Sequence, residues 1–241
     1  MQYFVTGATG FIGKRLVKAL LQRRGATVHF LLRPGSQGKM EALLDYWGAP
    51  KGRAIPVQGD LTAKRLGIAA DETKRLRGRI DHCYHLAAVY DLSADEESQV
   101  RVNIEGTRNV VEFAKAIDVG HLHHVSSIAA AGLYEGVFRE DMFDEAEGLE
   151  HPYFMTKHES EKIVRTESKV PWTVYRPALV VGDSRSGEMD KIDGPYYFFK
   201  LIQRMRQILP PWMPGIGLEG GRINIVPVDF VVAALDHNSH T

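Results

Sequence analysis

The opening stretch QYFVTGATGFIGKRLV places Gly7, Gly10 and Gly13 between a short apolar run and an amphipathic one. This spacing restricts the fold more than any other feature of the chain. An apolar run that ends in a tight turn and re-emerges as a helix is a strand–turn–helix unit. In it each glycine has a separate task. Gly7 lets the chain turn sharply off the strand, Gly10 lets a ligand approach the backbone where a Cβ would stand, and Gly13 lets the helix pack closely on the sheet. The helix start then offers free N–H groups and the positive end of its dipole to an anion. A bare triple glycine is weak evidence. The strand before it and the helix after it give it weight, and the expected ligand is a dinucleotide pyrophosphate. A P-loop would need Gly at position 8 and Ser or Thr at position 15, where the chain has Ala8 and Arg15.

The rest of the chain continues the alternation. Strands are expected at ATVHFLLR, RAIPVQGD, DHCYHLAA, HLHHVSS and PWTVYRP, with Pro56 marking the third as irregular or an edge. Helices are expected over FIGKRLVKALLQRRG, EESQVRVNIEGTRNVVEFAKAI and YFMTKHESEKIVRTE. Such alternation implies right-handed crossovers and a parallel sheet covered on both faces. The fold class is therefore α/β, a Rossmann-type doubly wound parallel sheet. After Arg176 the regularity drops. VVGDSRSGEMDKIDGP reads as a loop, YYFFKLIQRMRQIL as an amphipathic helix, LPPWMPG as a rigid turn, RINIVP as a short strand and VDFVVAAL as a last helix. The expected division is a dinucleotide-binding domain over 1–182 and a small, incomplete substrate-binding region over 183–241.

Composition removes several function classes. With 30 basic and 30 acidic residues among 241, the formal net charge is +0, which gives no footing for nucleic acid binding. The single cysteine, Cys83, lies in a strand-like run and reads as an inert core thiol in a reducing compartment. There is no membrane-length apolar run and no basic, apolar, small-residue leader pattern, so a cytoplasmic location is expected.

The residue after the second strand bears on the choice of dinucleotide. An acid there accepts from the adenosine ribose 2′-hydroxyl; here LLRPGSQGK offers Arg33, with Ser36 and Lys39, to a 2′-phosphate. This favours NADP over NAD. Asp60 and Leu61 follow the third strand as adenine contacts. YFMTK sets Tyr153 and Lys157 four apart, on one face of a helix. A phenol titrating at about 10 is a poor acid–base group at neutral pH, and an ammonium beside it favours the phenolate. Ser126 and Ser127 close the fifth strand at the carboxyl edge, where a hydroxyl can hold a carbonyl oxygen. Y-x-x-x-K alone is common on surface helices; the order of glycine turn, strand-end serine, tyrosine and lysine makes it specific.

TGATGFIG, GDL, HLAA, the VSS strand end, YFMTK and YRP together resemble an extended short-chain dehydrogenase/reductase. AAVYDLSADEE, NIEGT, HHVSSIAAAGL, FREDMF, HPYFMTKHESEK and GEMDKIDGPYYFFK resemble the reductase domain of bacterial alcohol-forming fatty acyl-CoA reductases, a likeness that covers essentially the whole chain. The resemblance implies that Gly7, Gly10 and Gly13, with Thr6, Thr9, Phe11 and Ile12, form the phosphate turn. It implies that Arg33, Ser36 and Lys39 read the 2′-phosphate, that Asp60 and Leu61 contact adenine, and that Ala87 and Ala88 line the cofactor. Ser127, five residues before Gly132, matches the catalytic serine better than Ser126 does. Tyr153 matches the proton donor, Lys157 the ribose-binding lysine that tunes it, and Pro177 a contact at the nicotinamide end. Asn103 falls where the superfamily carries a supporting asparagine, and a solvated polar role is equally open to it.

The resemblance further implies an NADPH-dependent reductase of long-chain fatty acyl-CoA or fatty aldehyde, working toward the alcohol. Met189, Tyr196, Tyr197 and Phe199 are the candidate substrate residues, in a segment where Phe198, Trp212 and Met213 add apolar surface. Most of these side chains are equally accounted for by a helix packing on the sheet. Lys200, Arg204 and Arg206 are available to CoA phosphates or to a peripheral membrane contact, and read first as a solvated face. His121, His123 and His124 are divided between two faces by strand alternation, and a metal site is not expected. Extended members continue beyond a segment like VDFVVAALDH, so fusion to a second reductase domain is one arrangement for a longer protein. Two other functions stand beside the first. One is a sugar-nucleotide epimerase or steroid-type dehydrogenase, against which Arg33 and the aromatic segment speak. The other is a non-enzymatic dinucleotide sensor, which should lack the Ser, Tyr and Lys set.

Overall fold

Strands joined through helices pair in parallel, because a crossover returns the chain to the same edge of the sheet. The computed structural model, which describes residues 1–36, 38, 40–89, 95–190, 203, 204, 208 and 223–241, shows this arrangement. Strands β1 (Gln2–Thr6), β2 (Thr27–Leu32), β3 (Ala54–Gln58), β4 (His82–His85), β5 (His121–Val125) and β6 (Trp172–Tyr175) form one sheet in the order β3-β2-β1-β4-β5-β6. Every pairing is parallel. Pro56, which cannot donate to a ladder, lies in the edge strand β3 opposite Phe30. The order reverses direction between β1 and β4, and the open-sheet rule places a ligand at the carboxyl ends of those strands.

Seven α-helices are described: α1 (Phe11–Gln22), α2 (Met40–Trp47), α3 (Ala70–Leu76), α4 (Glu96–Gln99), α5 (Gly106–Ala116), α6 (Pro152–Glu167) and α7 (Val228–Asn238). One face of the sheet buries Tyr3, Val5 and Phe30 against Leu16, Val17 and Leu20 of α1, Leu43 and Trp47 of α2, and Val228, Val231, Val232 and Leu235 of α7. The other buries Phe4, Leu31, Val57, Cys83 and Leu122 against Val110, Phe113 and Ala114 of α5 and Ile163 and Val164 of α6. The last helix thus shares a core with the first. A second, two-stranded parallel sheet pairs β7 (Leu179–Val181) with β8 (Ile225–Pro227).

Several elements depart from the sequence reading. The first helix ends at Gln22, and the chain turns at Gly25 with φ of +71°. Helices α2 and α3 form in stretches the sequence pattern did not mark. Leu179–Val181, within and beside the stretch read as a loop, is a strand because Ile225–Pro227 comes alongside. The long helix expected over residues 96–117 is interrupted by a π-helical stretch, Val100–Glu105, between α4 and α5. The amphipathic stretch at 196–209 lies almost wholly outside the described residues.

Candidate active site

The glycine turn has the geometry its sequence requires. Gly7 has φ of +74°, and a Cβ there would lie 2.7 Å from the Ala87 amide nitrogen. A Cβ on Gly13 would sit 2.0 Å from the Gly7 carbonyl oxygen, so only glycine lets α1 approach the turn. Gly10 is different. Its Cβ position meets only the Gly7 oxygen, at 3.2 Å, and is otherwise open. Gly10 caps α1 without a side-chain hydrogen bond. Helix geometry leaves the amides of Phe11, Ile12 and Gly13 without a carbonyl one turn back, and they are left for a ligand. Thr9 and Gly10 are exposed beside them. The turn therefore fits the pyrophosphate of a nicotinamide dinucleotide, which would supply hydride chemistry.

Around the turn, Arg33 is exposed at the end of β2, and its carbonyl accepts from the Ser36 amide at 3.0 Å. Lys39 lies outside the described residues. The Asp60 carboxylate is held by the amide and hydroxyl of Thr62 at 2.8 and 2.7 Å, which lower its pKa with help from the charges of Arg33 and Arg101. Leu61 is buried, and its carbonyl accepts from Asn109. Ala87 and Ala88 follow β4 half-buried, across from Thr6 and Gly7.

The catalytic candidates meet at the carboxyl ends of β4, β5 and β6. Pro152 occupies the first turn of α6, where its missing N–H is harmless, and His151 caps the helix by accepting the Tyr153 amide at 3.1 Å. The Tyr153 phenol then comes close enough to the Ser127 hydroxyl for Ser127 to bear on its pKa. Ser127 also accepts from the Ala129 amide at 3.2 Å. Burial raises the Tyr153 pKa, and the nearby Ser127 hydroxyl works in the opposite direction. Lys157, one turn along, is only 5% exposed, and burial lowers its pKa from 10.5 to about 8. The expected lysine tuning of the phenol is not among the shifts on Tyr153. A raised phenol stays protonated at neutral pH, which suits a proton donor.

Asn103 lies in the π-helical stretch, 2% exposed. Its side-chain oxygen accepts from the Val89 amide at 2.8 Å, and its amide group donates to the Val89 carbonyl at 3.0 Å and the Thr156 hydroxyl at 3.2 Å. It thus ties the segment after β4 to α6. π-turns of this kind occur often at functional sites.

Further support comes from residues the sequence reading did not assign. Glu161, fully buried one turn beyond Lys157, pairs with Arg165 at 2.8 Å and Arg176 at 2.6 Å. Burial works to raise its pKa, and the two guanidinium groups outweigh that and lower it. Arg176 precedes Pro177, whose carbonyl accepts from the Ile128 amide at 3.1 Å, beside Ser127. The segment carrying Met189 is fixed to α1 by Arg15–Glu188 at 2.9 Å and Lys14–Asp190 at 2.6 Å. Met189 itself is half-buried. Tyr196, Tyr197 and Phe199 lie outside the described residues.

A switch-point glycine turn beside a Ser–Tyr pair with a lysine one turn further defines an oxidoreductase of the extended short-chain dehydrogenase/reductase type. Residues 5–235 match the family described as male sterility protein, and the chain belongs to that family. It is 29% identical to a linear gramicidin synthase polypeptide of Brevibacillus parabrevis, over 98% of this chain and 5% of that protein. It is 25% identical to fatty acyl-CoA reductase wat of Drosophila melanogaster, over 96% of this chain and 52% of that protein. Among solved structures it resembles the terminal R domain of the myxalamid PKS-NRPS pathway, with a TM-score of 0.82 and 29% identity, over 100% of this chain and 62% of that one. The chain thus spans less than two thirds of the length of each of these relatives.

Proposed function

We propose that the chain is an NADPH-dependent reductase of acyl thioesters and aldehydes, with long-chain fatty acyl-CoA or fatty aldehyde as substrate and the alcohol as end product. The observation that carries this is the Tyr153 phenol, its pKa raised by burial and acted on by nearby Ser127, with buried Lys157 one turn along the same helix. Hydride comes from the reduced dinucleotide when it is bound. The buried phenol, kept protonated, gives its proton to the carbonyl oxygen as that oxygen gains negative charge. Ser127, held by Ala129, donates to the same oxygen. Lys157 and the two alanines after β4 orient the ribose and nicotinamide. On a thioester the first reduction gives a hemithioacetal that collapses to aldehyde and thiol, and a second reduction gives the alcohol. Arg33, exposed and without a carboxylate on its own strand end, supports NADP. Buried Cys83 accords with a reducing compartment such as the cytoplasm.

The likeness to a peptide synthase and to an R domain favours a second thioester source, an acyl group carried on a protein-bound thiol rather than on CoA. The test offers the purified chain NADPH with a long-chain aldehyde, the matching acyl-CoA and an acyl carrier thioester, alongside Tyr153→Phe. The reading expects wild-type oxidation of NADPH and a loss of at least about 100-fold in kcat for the variant, with dinucleotide affinity kept. Unchanged turnover in Tyr153→Phe overturns the assignment of the proton donor. Oxidation only with the carrier thioester transfers the substrate to the second source.

A further inference from the structure

His85 lies at the end of β4, 2% exposed, and takes no part in the chemistry described above. Its Nδ1 is 2.8 Å from the Thr6 hydroxyl, and its Nε2 is 3.0 Å from the Thr107 hydroxyl. Thr107 donates in turn to the Asn103 backbone carbonyl at 2.6 Å. A carbonyl only accepts, so the Thr107 proton is committed to Asn103. The Thr107 oxygen must then accept from His85 Nε2–H. A neutral imidazole has one N–H, so Nδ1 accepts from Thr6, whose oxygen faces the Ala87 amide at 3.4 Å. The chain continues past Asn103, whose amide donates to Thr156, which donates to the Tyr153 carbonyl at 3.2 Å. Thr6, His85 and Thr107 are all buried, and the ring of His124 lies against His85 at 5.2 Å. Every link has one allowed direction.

We propose that His85 is a positioning residue: it locks the end of β1, next to the glycine turn, to the Asn103 turn and through it to Tyr153. Dinucleotide seating and alignment of the proton donor are thereby set together. This rests on the reading of Tyr153 as proton donor only for its effect on turnover; the effect on dinucleotide binding stands apart from that reading. Thr107 is the place to test it, because its hydroxyl reaches neither the turn nor Tyr153 directly. Thr107→Val keeps the shape and removes both of its bonds, leaving His85 Nε2–H and the Asn103 carbonyl without them.

The experiment measures NADPH affinity by fluorescence and kcat with a long-chain aldehyde for Thr107→Val, Thr107→Ser, Thr6→Val and the Thr6→Val/Thr107→Val double variant, with folding checked by thermal melts. Thr107→Val is expected to weaken NADPH binding and lower kcat, each by about tenfold. Thr107→Ser should recover both to within about threefold. The double variant should be within about twofold of the worse single variant, because one broken link already frees the imidazole. Unchanged affinity in Thr107→Val, or losses that multiply in the double variant, overturn the proposal. If Thr107→Val does not fold, Thr107→Ala takes its place under the same two outcomes. If the wild type binds NADPH and reduces nothing, the functional reading fails, and the affinity cycle still decides whether Thr6 and Thr107 are coupled.

Discussion

Lys157 holds an ammonium inside the protein with no hydrogen-bond partner among the described residues. Replacing it by Met keeps most of the aliphatic stem and removes the charge. The size of the effect follows from the pKa, which burial lowers from 10.5 to about 8. At 1.36 kcal/mol per pH unit, the buried ammonium destabilises the native state by about 3 kcal/mol at pH 7. The pH dependence has a fixed sign. Between pH 8 and 10.5 the unfolded chain binds the proton and the native protein does not, so wild-type stability rises with pH across that window. Below pH 8 both states are protonated, and the full penalty applies. Lys157→Met should therefore be more stable than wild type at pH 7 by about 2–3 kcal/mol, roughly 5–10 °C in Tm for a chain of this size. Its advantage should shrink toward zero by about pH 10.5. The variant should at the same time lose reductase activity. The assay is urea unfolding of both proteins, free of dinucleotide, at pH steps from 7 to 10.5. Other titrations cancel in the difference. A variant that is less stable at pH 7, or an advantage that is flat across the window, refutes the reasoning.

The glycine turn separates stability from binding. Gly13→Ala drives a Cβ to 2.0 Å from backbone and should lower stability by more than about 3 kcal/mol in a thermal melt, whereas Gly10→Ala meets only one atom at 3.2 Å and should melt within about 1 kcal/mol of wild type while losing NADPH binding by titration. Arg33→Ser should weaken NADPH by about tenfold and leave NADH within about twofold, read as the ratio of the two dissociation constants. Glu161→Gln removes the carboxylate between Arg165 and Arg176 and should cost about 3–5 kcal/mol in urea unfolding.

The parts of this molecule that were legible in the sequence are those specified by short-range pattern. QYFVTGATGFIG fixes its own strand, turn and helix, because the glycines act on backbone within one turn. Tyr153 and Lys157 share a helix face by spacing alone. Alternation along HLHH divides the histidines between faces, and His121 and His123 do lie on the opposite side from His124. Pro56 marks the edge strand because only an edge tolerates it. What could not be read is whatever depends on register between distant strands. Thr6, His85 and His124 stand side by side across β1, β4 and β5. Nothing in their sequence separation announces it, since parallel partners meet only through a crossover. The π-helical stretch was hidden for a related reason: VRVNIE holds no Gly or Pro to break the helical pattern on either side of it, and its widened turn accompanies bonds that Asn103 makes with Val89 and Thr156. The signal available in advance was His85 itself, a polar residue at the carboxyl end of HCYH and directly before the apolar LAA. Strand β7 needed Ile225–Pro227, far along the chain, to become a strand at all.

The same register explains why function concentrates at one end of the sheet. On the face toward α5 and α6, Phe4, Cys83 and Leu122 stand opposite one another, and two residues further on stand Thr6, His85 and His124. Across β1, β4 and β5 the first row is apolar and the second polar, at almost equal burial, while β2 sets buried His29 beside Phe4. A stability-driven core would continue the apolar row. Here the imidazole nitrogens of His124, which feel the charge of buried Lys157 on α6, and the hydroxyl of Ser126 are buried without a hydrogen bond to any described residue. Each such group is destabilising by about 1–3 kcal/mol. Those of His124 and Ser126 lie at and just beyond the carboxyl end of β5, the edge of the sheet where the switch point places a ligand, and on β4 and β5 the residues one row further in are Cys83 and Leu122. These unpaired groups at the end of β5 stand on the edge where a dinucleotide is proposed to bind. Ligand binding should therefore protect the ends of β4 and β5 from hydrogen exchange more than it protects the Phe4–Cys83–Leu122 row.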